Sequence, residues 1–86
     1  MSYGILLSVR ARRELRDLPN KVIARLDTKL LALASEPRPA GCKKLKTSTN
    51  DGWRIRVGNY RILYPIDDNA KRILVYRIGH RRQVYE

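Results

Sequence analysis

An α+β domain of order β-α-α-β-β-β is predicted: a helical hairpin on one face of a small, mostly antiparallel sheet. Three observations predict it. Apolar residues recur every three or four positions between Ala11 and Ala34. The period then drops to two between Trp53 and Val57. Turn-forming residues stand where these patterns stop, at Pro37-Arg38-Pro39, Gly58-Asn59 and Asp67-Asp68-Asn69-Ala70. With 86 residues the chain fits one domain, 1–86.

The first element, Tyr3 to Leu7, is short and mostly apolar and reads as a strand. Ser8 is a candidate N-cap for a helix starting near Val9. In that helix Ala11, Leu15 and Leu18 form a stripe, and Arg10, Arg12, Arg13 and Arg16 take the other sides. Pro19-Asn20 interrupts it. A second helix starts at Asn20 or Lys21, with Val22, Ile23, Leu26, Leu30, Leu33 and Ala34 on one face. Pro37 and Pro39 end it, because proline lacks the amide donor and restricts the residue before it.

Residues Ala40 to Asp51 form a basic, polar connection that is either a solvated loop or partly extended. Trp53, Ile55 and Val57 then alternate with Arg54 and Arg56, a strand with one apolar and one cationic face. Gly58-Asn59 suits a two-residue hairpin turn, since both residues tolerate positive φ. Tyr60 to Ile66 is the return strand, Asp67 to Ala70 the next turn, and Arg72 to Ile78 the third strand, ended by Gly79.

The hairpin turn dictates a register: Val57 opposite Tyr60, Arg56 opposite Arg61, Ile55 opposite Ile62 and Arg54 opposite Leu63. Opposed residues share a face, and like charges directly opposite destabilise a sheet. Two facing guanidiniums with Arg54 beside them are better explained by an anion seated between them. A phosphate-binding platform on the open face of the sheet is the expectation, with the helices covering the other face. The third strand's register stays open: a four-residue turn puts Tyr76 beside Arg61, a five-residue turn Arg77.

Charge agrees. The formal net charge is +11, from 19 Lys and Arg against 8 Asp and Glu. Self-repulsion on that scale disfavours the compact state, and a polyanion is its usual counterpart. Lys43, Lys44 and Lys46 are candidates to follow a nucleic-acid backbone. In the tail, His80 is the only side chain whose ordinary pKa lies near neutrality, Arg81 is a candidate phosphate ligand, and Tyr85 is a candidate to stack on an unpaired base. One cysteine, one histidine and scattered carboxylates offer no metal framework, so neither metal nor cofactor is expected. No secretory signal and no membrane-length apolar run is visible, and a soluble cytoplasmic protein is expected.

Taken in order, Lys43-Lys44-Leu45, then Trp53 to Tyr64 (Trp-Arg-Ile-Arg-Val-Gly-Asn-Tyr-Arg-Ile-Leu-Tyr), then Ile78-Gly79-His80-Arg81 and Val84-Tyr85 resemble the RelE/ParE toxin superfamily. The similarity is strongest to its RelE-like branch and covers nearly the whole chain. It implies the microbial-ribonuclease-like fold and the toxin of a type II toxin-antitoxin pair, held by a RelB-like antitoxin in a hetero-oligomer. It implies an mRNA interferase, a metal-independent endoribonuclease that cuts messenger RNA in the ribosomal A site. There the 2′-hydroxyl attacks the adjacent phosphate, leaving a 2′,3′-cyclic phosphate.

Carried over by position, the resemblance makes Arg61 and Arg81 stabilisers of the phosphorane charge. Arg54 and Arg56 hold neighbouring phosphates, and Tyr85 orients a base. Better-known members have lysines where this chain has Arg54 and Arg56. A guanidinium, with a pKa above about 12, is a poor base. Either His80 or Tyr85 is then the base, or catalysis rests on positioning and charge stabilisation. A ParE-like inhibitor of DNA gyrase and a non-catalytic RNA-binding module are the alternatives.

Overall fold

A computed structural model describes residues 2–45, 52–80 and 82. Its elements are β1 (Gly4–Leu7), α1 (Val9–Arg16), α2 (Asn20–Ser35), β2 (Lys43–Lys44), β3 (Trp53–Val57), β4 (Tyr60–Tyr64), β5 (Ile66–Asp67), β6 (Arg72–Val75) and β7 (Arg77–His80). The two helices and the antiparallel hairpin stand where the patterning put them. The Ser8 hydroxyl accepts the Ala11 amide at 3.0 Å, which caps α1 as its residue type suggests. The 40–51 connection is partly extended, since Lys43–Lys44 pairs antiparallel with Trp53 and Arg54.

Leu26, Leu30 and Leu33 of α2 and Ala11 of α1 bury against Ile55, Ile62, Tyr64, Ile73, Val75 and Ile78 of the strands. Apolar burial of this kind stabilises by roughly 25 cal/mol per Å² removed from water. Tyr64 is fully buried, and its hydroxyl donates to the Pro37 carbonyl at 2.9 Å. That bond ties the segment after α2 to the sheet. On the surface, the Tyr3 hydroxyl and the Arg38 guanidinium both reach Asp68, at 2.6 and 2.9 Å, and Arg38 also lies 5.2 Å from the Trp53 ring centre.

Several expectations are corrected. The return strand stops at Tyr64 instead of reaching Ile66, because Pro65 has no amide to donate. The third strand is two: β6 joins β1 in a parallel pair and β5 in an antiparallel one, while β7 pairs with β4. The turn before β6 spans residues 68–71, not 67–70, with Asp67 paired to Arg72. Lys71 takes the left-handed conformation there, at φ 56°.

The split is a β-bulge. Between the pairs Ile66–Ile73 and Leu63–Arg77, one strand has Leu74, Val75 and Tyr76, while its partner has only Tyr64 and Pro65. One extra residue reverses which side chains point inward. Odd positions (Ile73, Val75) face the core before the bulge, and even ones (Ile78) after it. Gly79 therefore stands opposite Arg61, so neither Tyr76 nor Arg77 does. Gly79 also lies inside β7 instead of ending the strand.

Candidate nucleic-acid interface

The four-stranded sheet runs β2-β3-β4-β7. Its pairing lays out two cross-strand rows on the face away from the helices. One is Lys43, Arg54, Leu63, Arg77; the next is Arg56, Arg61, Gly79. The predicted opposition of Arg56 and Arg61 is present. A two-residue loop closes on a hydrogen-bonded pair, so Arg56 and Arg61 form the non-hydrogen-bonded pair, whose side chains approach more closely. Gly79 beside Arg61 contributes no side chain to this row.

The face is not uniformly open, which corrects the expectation of an open platform. Arg54 is only 2% exposed. Leu45 and Leu63 are buried beside it, with Tyr76 packed against them, as a second small apolar cluster on the cationic side. Exposure then rises along the arginines: Arg54 buried, Arg61 half-buried, Arg56 exposed. Burial pushes the Tyr76 hydroxyl above its ordinary pKa, and the positive charge of Arg77 only partly offsets this. A neutral phenol therefore borders the cations at physiological pH.

His80 is not brought to this face. It lies opposite Tyr60, in the row on the helix side, and its ring meets the Tyr60 ring edge-on at 5.7 Å and 80°. Its Nδ1 accepts the Arg82 amide at 3.2 Å, so the neutral imidazole carries its proton on Nε2. In that state the outer nitrogen is a donor. To act as a base, the ring must give up the Arg82 bond.

Lys43 and Lys44 are both exposed, and the alternation of the strand sends only Lys43 to the arginine face. Lys46, Arg81 and Tyr85 lie outside the described residues. Among the described residues, no group of three His, Cys, Asp or Glu side chains is placed to hold a metal. No described helix is long and apolar enough to cross a membrane.

Two participants were missed in the sequence. The Leu45–Leu63 cluster had a signal, since an apolar Leu63 opposite Arg54 is out of place on a solvated face. Glu14 had none. Its Oε1 accepts the Ile78 amide at 3.0 Å and its Oε2 pairs with Arg77 Nε at 3.1 Å.

A sequence model of the family described as "ParE toxin of type II toxin-antitoxin system, parDE" matches residues 5–85. The chain is 33% identical over 86 residues to Toxin RelG of Mycobacterium tuberculosis, covering 99% of this chain and 98% of that one. The structure is similar to that of a RelBE toxin-antitoxin complex from M. tuberculosis, with TM-score 0.84, 30% identity, and coverage of 94% and 93% of the two chains. It is also similar to the archaeal RelE–RelB complex of Pyrococcus horikoshii, with TM-score 0.83, 25% identity, and coverage of 98% and 100%. For the isolated E. coli RelE toxin the TM-score is 0.78 at 27% identity, covering 92% of this chain and 84% of that one.

Proposed function

The chain belongs to the RelE/ParE family of toxins of type II toxin-antitoxin systems, and from that premise we propose that it is a ribosome-dependent endoribonuclease cleaving messenger RNA in the A site. The observation that carries the reading is the Arg56–Arg61 pair, with Arg54 beside it and Gly79 opposite Arg61. Two guanidiniums side by side make a site suited to an anion, and a phosphodiester is an anion with geometry matched to the guanidinium fork.

In this reading Arg56 and Arg61 grip the scissile phosphate and its neighbour. Arg54, buried in a drier environment, strengthens the positive field behind them, because charge interactions grow as the local dielectric falls. As negative charge builds on the phosphorane, these fixed cations stabilise it more than the ground state. The 2′-hydroxyl oxygen attacks phosphorus, giving its proton to water, as the P–O5′ bond breaks and the 5′-oxygen takes a proton from water to leave as a hydroxyl. His80 faces the other side of the sheet with Nδ1 occupied, which favours catalysis by positioning and charge stabilisation over a histidine base. Arg81 and Tyr85 are proposed to complete the site, and Lys43, Lys44 and Lys46 to follow the RNA backbone. A RelB-like antitoxin that covers the cationic face would silence it in a toxin-antitoxin hetero-oligomer, and the cytoplasm is the compartment where it would act.

The test is cleavage of a labelled messenger on programmed ribosomes, beside the same messenger without ribosomes. Ribosome-only cleavage ending in a 2′,3′-cyclic phosphate is expected. The family's own description, a ParE toxin, supports a second reading as a gyrase inhibitor. Absence of cleavage together with gyrase-linked DNA breaks would establish it instead.

A further inference from the structure

We propose that Glu14 is a positioning residue for this site: one carboxylate on α1 fixes the backbone of β7 and draws the Arg77 side chain off the RNA-facing arginines. The inference rests on the reading of the sheet face as an RNA site. Among the described residues β7 is the last strand of its sheet, so one side of it has no strand neighbour there. The Ile78 amide points to that side and would be left unpaired by the sheet itself. Glu14 Oε1 accepts it at 3.0 Å.

The helix is built to deliver that carboxylate. Ala11 is fully buried, and Glu14, three residues on, lies on the same side of α1. Arg10, Arg12, Arg13 and Arg16 all remain exposed. Among the side chains of α1, Glu14 is the only acidic one, and it is turned to the sheet. The Ser8 cap holds the start of the helix to the end of β1, and the Ser8 amide bonds the Val75 carbonyl at 2.9 Å.

The second oxygen acts on charge. Arg77 ends the row Lys43, Arg54, Leu63, Arg77, and Gly79 beyond it faces Arg61. Glu14 Oε2 holds Arg77 Nε at 3.1 Å, with both side chains about a fifth exposed (21% and 23%). Arg77 is thereby tied to the edge of the sheet. A carboxylate bonded to a backbone amide and a guanidinium together makes charge-assisted hydrogen bonds, which are shorter and stronger than neutral ones.

The two oxygens can be separated by substitution. Glu14→Gln keeps an acceptor for the Ile78 amide but loses the charge that holds Arg77. Glu14→Ala loses both. With the Glu14 charge removed from beside Arg77, both variants should bind a single-stranded RNA oligonucleotide with a steeper salt dependence. The slope of log K against log salt should grow by about 0.7, the value for one more neutralised phosphate on a single strand. Only Glu14→Ala should also let β7 shift, which moves the Gly79 and Arg61 amide resonances. On ribosomes it should lower kcat by about 10- to 100-fold, the scale of a 1 Å misplacement. KM should be unchanged or lower, and Glu14→Gln should stay within a few-fold of wild type.

Loss of folded protein alone moves neither the salt slope nor the resonances of the folded fraction, so a purely structural role is distinguishable. Glu14→Ala with the wild-type slope and unshifted Gly79 and Arg61 resonances overturns the inference. If the wild-type protein fails to cleave, the nuclease reading fails, and the slopes and resonances still decide the role of Glu14.

Discussion

Replacing Arg56 with Gln should make this protein more stable and less active. Arg56 lies directly opposite Arg61 in the hairpin, with Arg54 two residues away on the same face. Two unit charges about 5 Å apart repel by about 0.8 kcal/mol at the dielectric of water, and by more where the site is drier. Arg56 is exposed and Arg61 half-buried, so the pair sits towards the watery end of that range. Measured cross-strand pair effects of roughly 0.2–1 kcal/mol agree. Glutamine keeps much of the aliphatic stem and a polar head, so the change isolates the charge. For a domain of this size, 1 kcal/mol corresponds to about 4–8 °C in Tm, and a rise of about 1–6 °C is expected. The assay is thermal unfolding by circular dichroism at low salt, repeated near 0.5 M salt, where screening should shrink the gain. Cleavage on programmed ribosomes by the same sample should fall sharply. A lower Tm at low salt would refute the repulsion, and a more stable variant with wild-type cleavage would remove Arg56 from the site.

Three further outcomes test the frame around the site. Tyr64→Phe leaves the Pro37 carbonyl without its 2.9 Å partner and should cost about 1–2 kcal/mol in urea unfolding, the usual penalty for an unsatisfied buried group. Gly58 has φ +61°, and a Cβ added there would meet the Arg25 guanidinium at 3.0 Å. Gly58→Ala should therefore cost about 1–2 kcal/mol for the left-handed backbone, plus a contact term that Arg25→Ala in the same chain should recover. The Asp68 carboxyl is held down at about 2, chiefly by its hydrogen bond from Arg38 and then by that from Tyr3. Its folded pKa lies below the unfolded value of roughly 4. This contribution is therefore fully present above about pH 4 and is lost as pH falls through about 2. Trp53 emission, sensitive to the Arg38 stacked 5.2 Å from its ring, should change across that window, and Asp68→Asn should remove the change.

Local chemistry made the hairpin legible. A Gly-Asn pair between alternating segments leaves one tight turn, and the turn fixes every cross-strand partner from Trp53 to Tyr64. The helices were legible because apolar residues recur at helical spacing, in α2 over more than three turns from Val22 to Ala34. What failed was the strand register downstream of Pro65. A bulge adds one residue to one strand, and nothing in Leu74-Val75-Tyr76 announces which residue is extra. The error then propagates, because each shift of one residue exchanges the two faces. His80, assigned to the tail in the sequence, instead ends β7 beside Tyr60. The burial of Arg54 was hidden for a different reason. Leu45 arrives from a separate segment to pack on Leu63, the cross-strand partner of Arg54, a contact that the pattern of β3 does not encode.

The bulge and the buried arginine belong to one design. Without the extra residue, the inward parity of Ile73 and Val75 would continue, and Arg77 and Gly79 would point into the core. With it, Ile78 enters the core and Gly79 takes the place beside Arg61, while Arg77 reaches the edge where Glu14 waits. The arginine face then grades from dry to wet, from Arg54 through Arg61 to Arg56. Three solvated lysines would be cheaper to fold and weaker as a site, because water screens them and their flexible stems must be ordered on binding. On the proposed nuclease reading, a graded set of guanidiniums held in place before RNA arrives leaves less reorganisation for the moment when charge develops on phosphorus. The cost is two like charges placed side by side in the hairpin, and that cost is what the Arg56 substitution measures.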